Sequence, residues 1–513
     1  GLRPKSGHPQ PLHILLFISP RAMAVAAAAP GPPGPPGCEV RPAAPKGFGL
    51  FATAAREPGE QVFQDEPLFV MQHTGNRRMV AACANCCGFV GLARGQFEAL
   101  FSEARFAPLL AALGDYACRW DAELSAALGQ GASGGTAVRC MQGCGELYCS
   151  EACRDAHFRH SHNLLCVGPL QQEDHPLIRF KYHALEHSDT ILLAAQVLAH
   201  LVNRARSSGG GEAAIRGLVS ELLVFCHAPF TQACRPPPGR GKDAEFVVHT
   251  ETLIAEAARL LKAALEIHAP AEAGVLFEQG PALLSEVLGL FEYNTIDVEV
   301  NSPLAPFFAS KARALAASCG TDPQAAAELQ AVERLLREKE WVMRCGWGEE
   351  TTGIYEDDGE APAGPDSSMG AELDSDTAMG EGDAAAGDMY DPKVSSALMA
   401  QVGAEVGRMS LEQLVQAPWP TMHGTGLFVS VARVNHSCAP NLKIEFHRNS
   451  ACLTAVALKP FAAGQELSIS YIRQETDVKT RRRQLLEYGF TCNCERCMEE
   501  DSGSVRKTQR RLK

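Results

Sequence analysis

The hydrophobic pattern changes its period several times along the chain. From Cys38 to Gln72, glycine-bearing turns alternate with short apolar stretches, GLFAT, QVFQ and PLFVMQ, which predicts small β-strands. Residues 83–166 are cysteine-rich and loop-like, with a helical insert near 96–128. From 176 to 342 the period becomes helical: DTILLAAQVLAHLVNRA, TLIAEAARLLKAALEIH and PQAAAELQAVERLLREKEWVM place apolar residues three and four apart, as a packed helical scaffold requires. Strands return in GTGLFVSVA, ACLTAVALK and ELSISYI. No internal repeat of solenoid length interrupts this order.

At 513 residues with 46% apolar content, the chain can bury more than one core. The net charge of −13 is local, because residues 349–391 hold fourteen Asp or Glu and no Lys or Arg, and the remainder sums to +1. That run has few large apolar side chains to offset the entropy of ordering, so it reads as a solvated linker. The near-neutral remainder gives no sign of direct nucleic-acid binding. Residues 1–37 read as a disordered leader, with Met23 as a candidate start and a targeting peptide as the alternative. The apolar run Leu12 to Ile18 is far short of the ~20 residues a membrane helix needs.

Nineteen cysteines, an odd number, argue against a fully paired secreted framework and for metal sites in a reducing compartment. One group reads Cys83-x2-Cys86, Cys140-x3-Cys144, Cys149-x3-Cys153 and His162-x3-Cys166. Each short pair offers two soft ligands from one turn, and eight ligands make two tetrahedral zincs. Cys87, Cys118, His157 and His160 fall outside the spacing and read as packing or surface. A second group, Cys492-x-Cys494-x2-Cys497, has three ligands and lacks a fourth. The stretch RVNHSCAPN (433–441) is ambiguous: it matches the N-x-[ST] glycosylation rule, and Cys438 could be a nucleophile, half a disulfide or a metal ligand.

The order C-x2-C, C-x3-C, YC-x3-C, H-x3-C resembles a MYND zinc finger, with a longer gap than usual between Cys86 and Cys140. KGFGLFA (46–52), RVNHSCAPN, GQELSISY (464–471) and EYGFTCNC (487–494) resemble, in kind and order, the motifs of SET-domain lysine methyltransferases. Together they resemble the SMYD-type enzymes, in their shorter branch without a C-terminal helical domain, and the plant trithorax-related proteins with a split SET domain. The fold this implies is α+β: a β-rich SET domain split by a MYND zinc finger and a helical insertion, followed by a zinc-binding post-SET segment. The expected division is a SET N-terminal part at 38–82, the finger with its insert at 83–166, a helical insertion at 167–348, and the acidic segment at 349–391. The C-terminal SET core then takes 392–475, the post-SET segment 476–500 and a basic tail 501–513.

The resemblance implies a cofactor, S-adenosyl-L-methionine, three zincs and a protein substrate, a histone tail or another lysine-bearing protein. Lys46, Gly47, Phe48 and Gly49 are expected at the methionine part of the cofactor, with the glycines allowing close backbone approach. Asn435 and His436 are expected to contact the cofactor, Phe490 to stack on adenine, and Asn294, in FEYNTID, to be a further contact. Tyr471 is expected beside the transferred methyl, counted with both the catalytic and the cofactor-binding groups, and Tyr488 along the lysine channel. A neutral phenol can orient the amine without competing as a nucleophile. By the same resemblance, one zinc is held by Cys83, Cys86, Cys149 and Cys153 and a second by Cys140, Cys144, His162 and Cys166. Cys438 completes the third with Cys492, Cys494 and Cys497, which sets aside the glycosylation and nucleophile readings. A monomer in the nucleus or cytoplasm, with a peptide partner for the finger and no membrane attachment, is expected. The alternative from another class is a zinc-dependent interaction scaffold whose SET fold has lost activity.

Overall fold

The computed structural model describes residues 34–44, 46–128, 137–170, 172–234, 244–345, 392–447, 449–473, 476–486 and 488–501. The leader up to residue 33, the acidic segment and the basic tail from 502 lie outside the described residues. The first part of the chain forms β1 (Cys38–Pro42), β2 (Phe48–Ala52), β3 (Gln61–Asp65) and β4 (Pro67–Gln72), as the alternation predicts. β5 (Val138–Arg139) and β6 (Leu147–Tyr148) make a hairpin in the cysteine-rich region. The C-terminal part adds β8 (Met422–Phe428), β9 (Asn435–His436), β10 (Leu442–Glu445), β11 (Leu453–Ala457) and β12 (Ser468–Ile469).

The helical tract holds one element that the helical reading of 167–348 missed, strand β7 (Thr295–Val300). It pairs antiparallel with β8, which in turn pairs with β4, giving the sheet order β4-β8-β7. The helical insertion therefore supplies an outer strand to the sheet of the C-terminal part. Period-2 alternation gives this sheet two buried faces. Phe69, Met71 and Leu427 face a helical core built by 176–187, 190–207, 244–266 and 282–294, whereas Val70, Val298, Val300 and Phe428 face the strand-built core.

The insert between Cys86 and Cys140 forms helices Leu92–Leu100 and Ala107–Leu128, which pack away from the finger. Phe97, Leu113 and fully buried Trp120 join a third core with Phe308, Leu336 and Trp419, from 304–318, 323–345 and the segment before β8. The Trp120 indole donates to Glu328 at 2.7 Å, and Lys311 pairs with both Glu328 and Glu123. The long gap in the cysteine spacing is thus occupied by a structural element of the distal helices. Within 323–345, Lys339 is fully buried, its ammonium donating to the carbonyls of Pro418 and Ala417 at 2.9 and 3.2 Å.

Two strands are shorter than their apolar runs. GTGLFVSVA leaves the sheet after Phe428 because the Asp65 carboxylate accepts the amides of Ser430 and Val431 at 2.7 and 3.0 Å, turning the chain into a 3-10 turn at Val431–Arg433. ELSISYI keeps only Ser468–Ile469, parallel to Asn435–His436, since the Asn441 side chain takes the ladder's place beside it. Its Oδ1 accepts from the Ser468 amide at 2.8 Å and its Nδ2 donates to the Glu466 carbonyl at 2.9 Å.

Candidate functional site

The sulfur-rich centres are assembled by local geometry. Ser150 caps helix Glu151–His157, its hydroxyl accepting from the Cys153 amide at 3.1 Å, so Cys149 and Cys153 stand one turn apart on the same side. Cys83 and Cys86 share a tight turn closed by the bond from the Cys87 amide to the Cys83 carbonyl at 2.8 Å. Cys140 and Cys144 flank the tip of the β5–β6 hairpin, where Gly143 takes a positive φ of 77°. His162 lies in a π-helical turn, Phe158–His162, ahead of Cys166.

Three tetrads result: Cys83, Cys86, Cys149 and Cys153; Cys140, Cys144, His162 and Cys166; and Cys438, Cys492, Cys494 and Cys497, each with ligand atoms within 4.8 Å of one another. These are the interleaved sets that the resemblance implies. Zinc–sulfur bonds of about 2.3 Å give a tetrahedral S···S edge of about 3.8 Å, and an S···N edge near 3.5 Å. The observed sulfur pairs lie at 3.5–3.9 Å. His162 Nε2 stands 3.3 and 3.4 Å from the sulfurs of Cys140 and Cys144. Those are the edges of a tetrahedron around a zinc-sized ion. A disulfide would need about 2.05 Å. Burial lowers the His162 pKa to about 4, so the imidazole is in its neutral, ligating form.

Of the nearby residues outside the spacing, Cys87 is buried and Cys118 exposed. Buried His157 bonds the Tyr148 hydroxyl at 3.1 Å, and His160 stacks on His200 with ring centres 3.8 Å apart. The third tetrad carries a buried guanidinium against its thiols: Arg481 Nη2 is 3.7 Å from Cys497 Sγ and 2.9 Å from the Glu500 carboxylate.

Beside the third tetrad, four rings from three segments meet. Tyr471 lies 5.3 Å from Tyr488, 5.4 Å from His436 and 6.5 Å from Phe490, and His436 lies 6.0 Å from Phe490, centroid to centroid. The Tyr471 hydroxyl donates to the Val434 carbonyl at 2.8 Å and keeps its oxygen lone pairs as acceptors. Burial, with Tyr488 alongside, raises the Tyr471 pKa well above the ordinary phenol range, so the group stays neutral. His436 is buried, and both ring nitrogens are engaged: Nδ1 accepts from the Tyr471 amide at 3.0 Å, which leaves Nε2–H toward Cys438 Sγ at 3.2 Å. The imidazole thus joins the tyrosine to the third tetrad.

The other expected residues gather around a group that sequence reasoning missed, Glu466. Its carboxylate accepts from Asn435 Nδ2 at 2.9 Å and pairs with the Lys46 ammonium at 3.0 Å. Asn435 Nδ2 also donates to the Phe48 carbonyl at 3.1 Å. The two glycines are required for separate reasons. Gly47 holds a φ of +83°. A Cβ on Gly49 would stand 2.9 Å from Asn435 Nδ2 and 3.1 Å from Glu466 Oε1, so its bare backbone makes room for these side chains. The signal for Glu466 was its place in GQELSISY, but a glutamate in a strand-like run reads as a solvated charge. Asn294 stands apart: it is buried at the end of its helix, its amide donating to the carbonyls of Cys226 and Leu290, both at 2.7 Å.

Comparison with known proteins agrees with this architecture. The SET domain family matches residues 47–472. Histone-lysine N-methyltransferase ATXR2 of Arabidopsis thaliana is 23% identical over 517 aligned residues, covering 91% of each chain. Shorter matches are to protein-lysine N-trimethyltransferase SMYD5 of Homo sapiens, 38% identical over 81 residues (15% of this chain, 19% of that protein), and histone-lysine N-methyltransferase SMYD3 of Homo sapiens, 39% over 79 residues (15% and 18%). Among the described residues no helix is long and apolar enough to cross a membrane. With the family matched across most of its length, and with its motifs converging beside a four-cysteine tetrad, the chain belongs to the SET-domain family.

Proposed function

We propose that the protein is a protein-lysine N-methyltransferase that uses S-adenosyl-L-methionine, acts on histone or other protein lysines in the nucleus or cytoplasm, and carries three structural zincs. The observation that supports this most is the meeting of Tyr471, Tyr488, His436 and Phe490, with Asn435 directly before His436 in the chain and its side-chain oxygen without a partner among the described residues.

The cofactor supplies an electrophilic methyl on a sulfonium. It combines an aromatic base with an α-amino acid, and the residues present suit both ends. Phe490 offers an aromatic face, Asn435 Oδ1 an acceptor for an ammonium, and Lys46 a cation for a carboxylate. Gly47 and Gly49 shape the backbone between them.

The chain's own work is then alignment and proton management. The substrate lysine must be neutral to attack, and the Tyr471 oxygen, its hydrogen already given to Val434, accepts from that amine and fixes its direction. Tyr488, 5.3 Å away ring to ring, walls the lysine channel. The Tyr471 phenol, its pKa raised by burial, carries no charge at neutral pH, so it does not stabilise a protonated, unreactive lysine as a carboxylate would. The zinc tetrad at Cys438 holds the segment bearing Tyr488 and Phe490 against the site.

Purified protein is incubated with methyl-labelled cofactor and a panel of histones and lysine peptides, with cofactor affinity measured in parallel. Transfer to at least one lysine substrate is expected. Absence of both transfer and cofactor binding would overturn the proposal in favour of a zinc-dependent scaffold.

A further inference from the structure

We propose that Glu466 is a positioning residue: it locks the Asn435 amide so that Oδ1 faces the ligand, and thereby selects an α-ammonium-bearing cofactor. The inference rests on the cofactor proposed above. An asparagine amide can present either its oxygen or its nitrogen, and only the oxygen can receive an ammonium. Both hydrogens of Asn435 Nδ2 are spent inside the protein, on Glu466 Oε1 at 2.9 Å and the Phe48 carbonyl at 3.1 Å. Two acceptors on one side fix the flip, because a reversed amide would set its oxygen against a carboxylate and a carbonyl. No protein donor reaches Asn435 Oδ1 among the described residues, and the side chain is only half-buried, which leaves that oxygen to a ligand.

Glu466 is itself held. Its backbone forms an antiparallel bridge with Phe51, and its carbonyl accepts from the Asn441 amide at 2.9 Å. The space for its carboxylate exists because position 49 has no Cβ. The same carboxylate holds the Lys46 ammonium through both oxygens, at 3.0 and 3.1 Å. Only the amide depends on this carboxylate for the sense of what it presents, since the Lys46 ammonium offers N–H in every rotamer. Without the carboxylate, the Phe48 carbonyl is left alone to oppose a flip that would present N–H to an incoming ammonium.

The test compares wild type, Glu466→Ala, Glu466→Gln, Asn435→Ala and the Glu466→Ala/Asn435→Ala double variant. Each is titrated calorimetrically with S-adenosylhomocysteine and with its analogue lacking the α-amino group. Loss of one charge-assisted contact predicts that Glu466→Ala weakens binding of the amino-bearing ligand about tenfold or more, with little change for the deaminated one. Glu466→Gln, whose amide oxygen still accepts from Asn435, restores most of that discrimination. The double variant binds no worse than Asn435→Ala, because Glu466 acts through Asn435. Additive losses, or equal weakening of both ligands, would overturn the inference by marking Glu466 as merely structural. So would unchanged affinity in Glu466→Ala while wild type binds, an outcome that leaves the proposed function standing. Failure of wild type to bind either ligand would overturn both.

Discussion

Replacing Cys438 by Ser removes one thiolate from the third tetrad without touching the expected channel tyrosines. The segment that this tetrad closes has little else to hold it. Apart from ligand cysteines, its buried apolar side chains are Val478 and Leu485, with Tyr471, Ile472, Tyr488 and Phe490 half-buried around them. Two buried aliphatic side chains contribute at most about 3–6 kcal/mol. A structural zinc contributes roughly 10 kcal/mol or more in comparable small sites, so the metal outweighs the apolar contacts. The charge arrangement sharpens the effect, because Arg481 is fully buried against the Cys497 sulfur and loses part of its partner if the cluster opens. Cys438→Ser is therefore expected to carry two zincs per chain where wild type carries three, and to expose 476–501 to protease. It should also bind S-adenosylhomocysteine at least tenfold more weakly, because Phe490 is released. Zinc is counted by mass spectrometry of the purified protein, cleavage is mapped at limiting protease, and affinity is read by calorimetry. Retention of three zincs would refute the assignment of Cys438. Loss of one zinc with unchanged cleavage and affinity would refute the claim that the metal holds the aromatic site together.

Tyr471→Phe deletes the hydroxyl that bonds Val434 and should cut turnover by about a hundredfold, with zinc content and the unfolding midpoint near wild type; loss of folding instead would mark a core residue. Gly49→Ala places a methyl within about 3 Å of both Asn435 and Glu466 and should weaken cofactor binding more than stability, read by calorimetry beside a thermal melt. Lys339→Met leaves buried Glu340 and the carbonyls of Ala417 and Pro418 without their donor and should cost about 3 kcal/mol in denaturant unfolding, with cofactor affinity unchanged. Burial lowers the pKa values of His157 and His162 to about 3 and about 4, below the ~6.5 of an unfolded imidazole, so the unfolded chain takes up protons that the native finger refuses. Stability should be full above pH 6.5 and fall by about 1.4 kcal/mol per pH unit per imidazole as pH drops toward 4; a flat melting profile from pH 7 to 5 would contradict this.

What could be read without the structure was what repeats at short range. Ligand spacings such as Cys149-x3-Cys153 follow from one helical turn and one cap, and the alternation around PLFVMQ follows from a sheet buried on two faces. Strand β7 was legible in principle, since Ile296, Val298 and Val300 alternate with Asp297 and Glu299, but six residues after a helix are easily absorbed into it. Glu466 was not legible, because its role depends on Lys46 and Asn435, brought to it from 420 and 31 positions away. The shortening of ELSISYI had the same origin: the Asn441 side chain competes for ladder groups, which no local pattern reveals. Likewise the helices between Cys86 and Cys140 showed their period but not their destination, the distal helices around Phe308 and Trp419.

The sheet order β4-β8-β7 sets a timing problem for synthesis. His73, just past β4, bonds the Thr425 hydroxyl across 352 positions. At ordinary translation rates that interval lasts roughly 20–70 s. Throughout it, the apolar faces of Phe69, Val70 and Met71 have no sheet partner, and β7, made later, is not the native neighbour of β4, because the finished sheet has β8 between them. A nascent chain stalled before residue 422 therefore presents two strands waiting for the same missing neighbour. Such chains should depend on chaperone binding at 67–72 until the C-terminal strands emerge, and truncations ahead of β8 should aggregate even though the helices before it are all present.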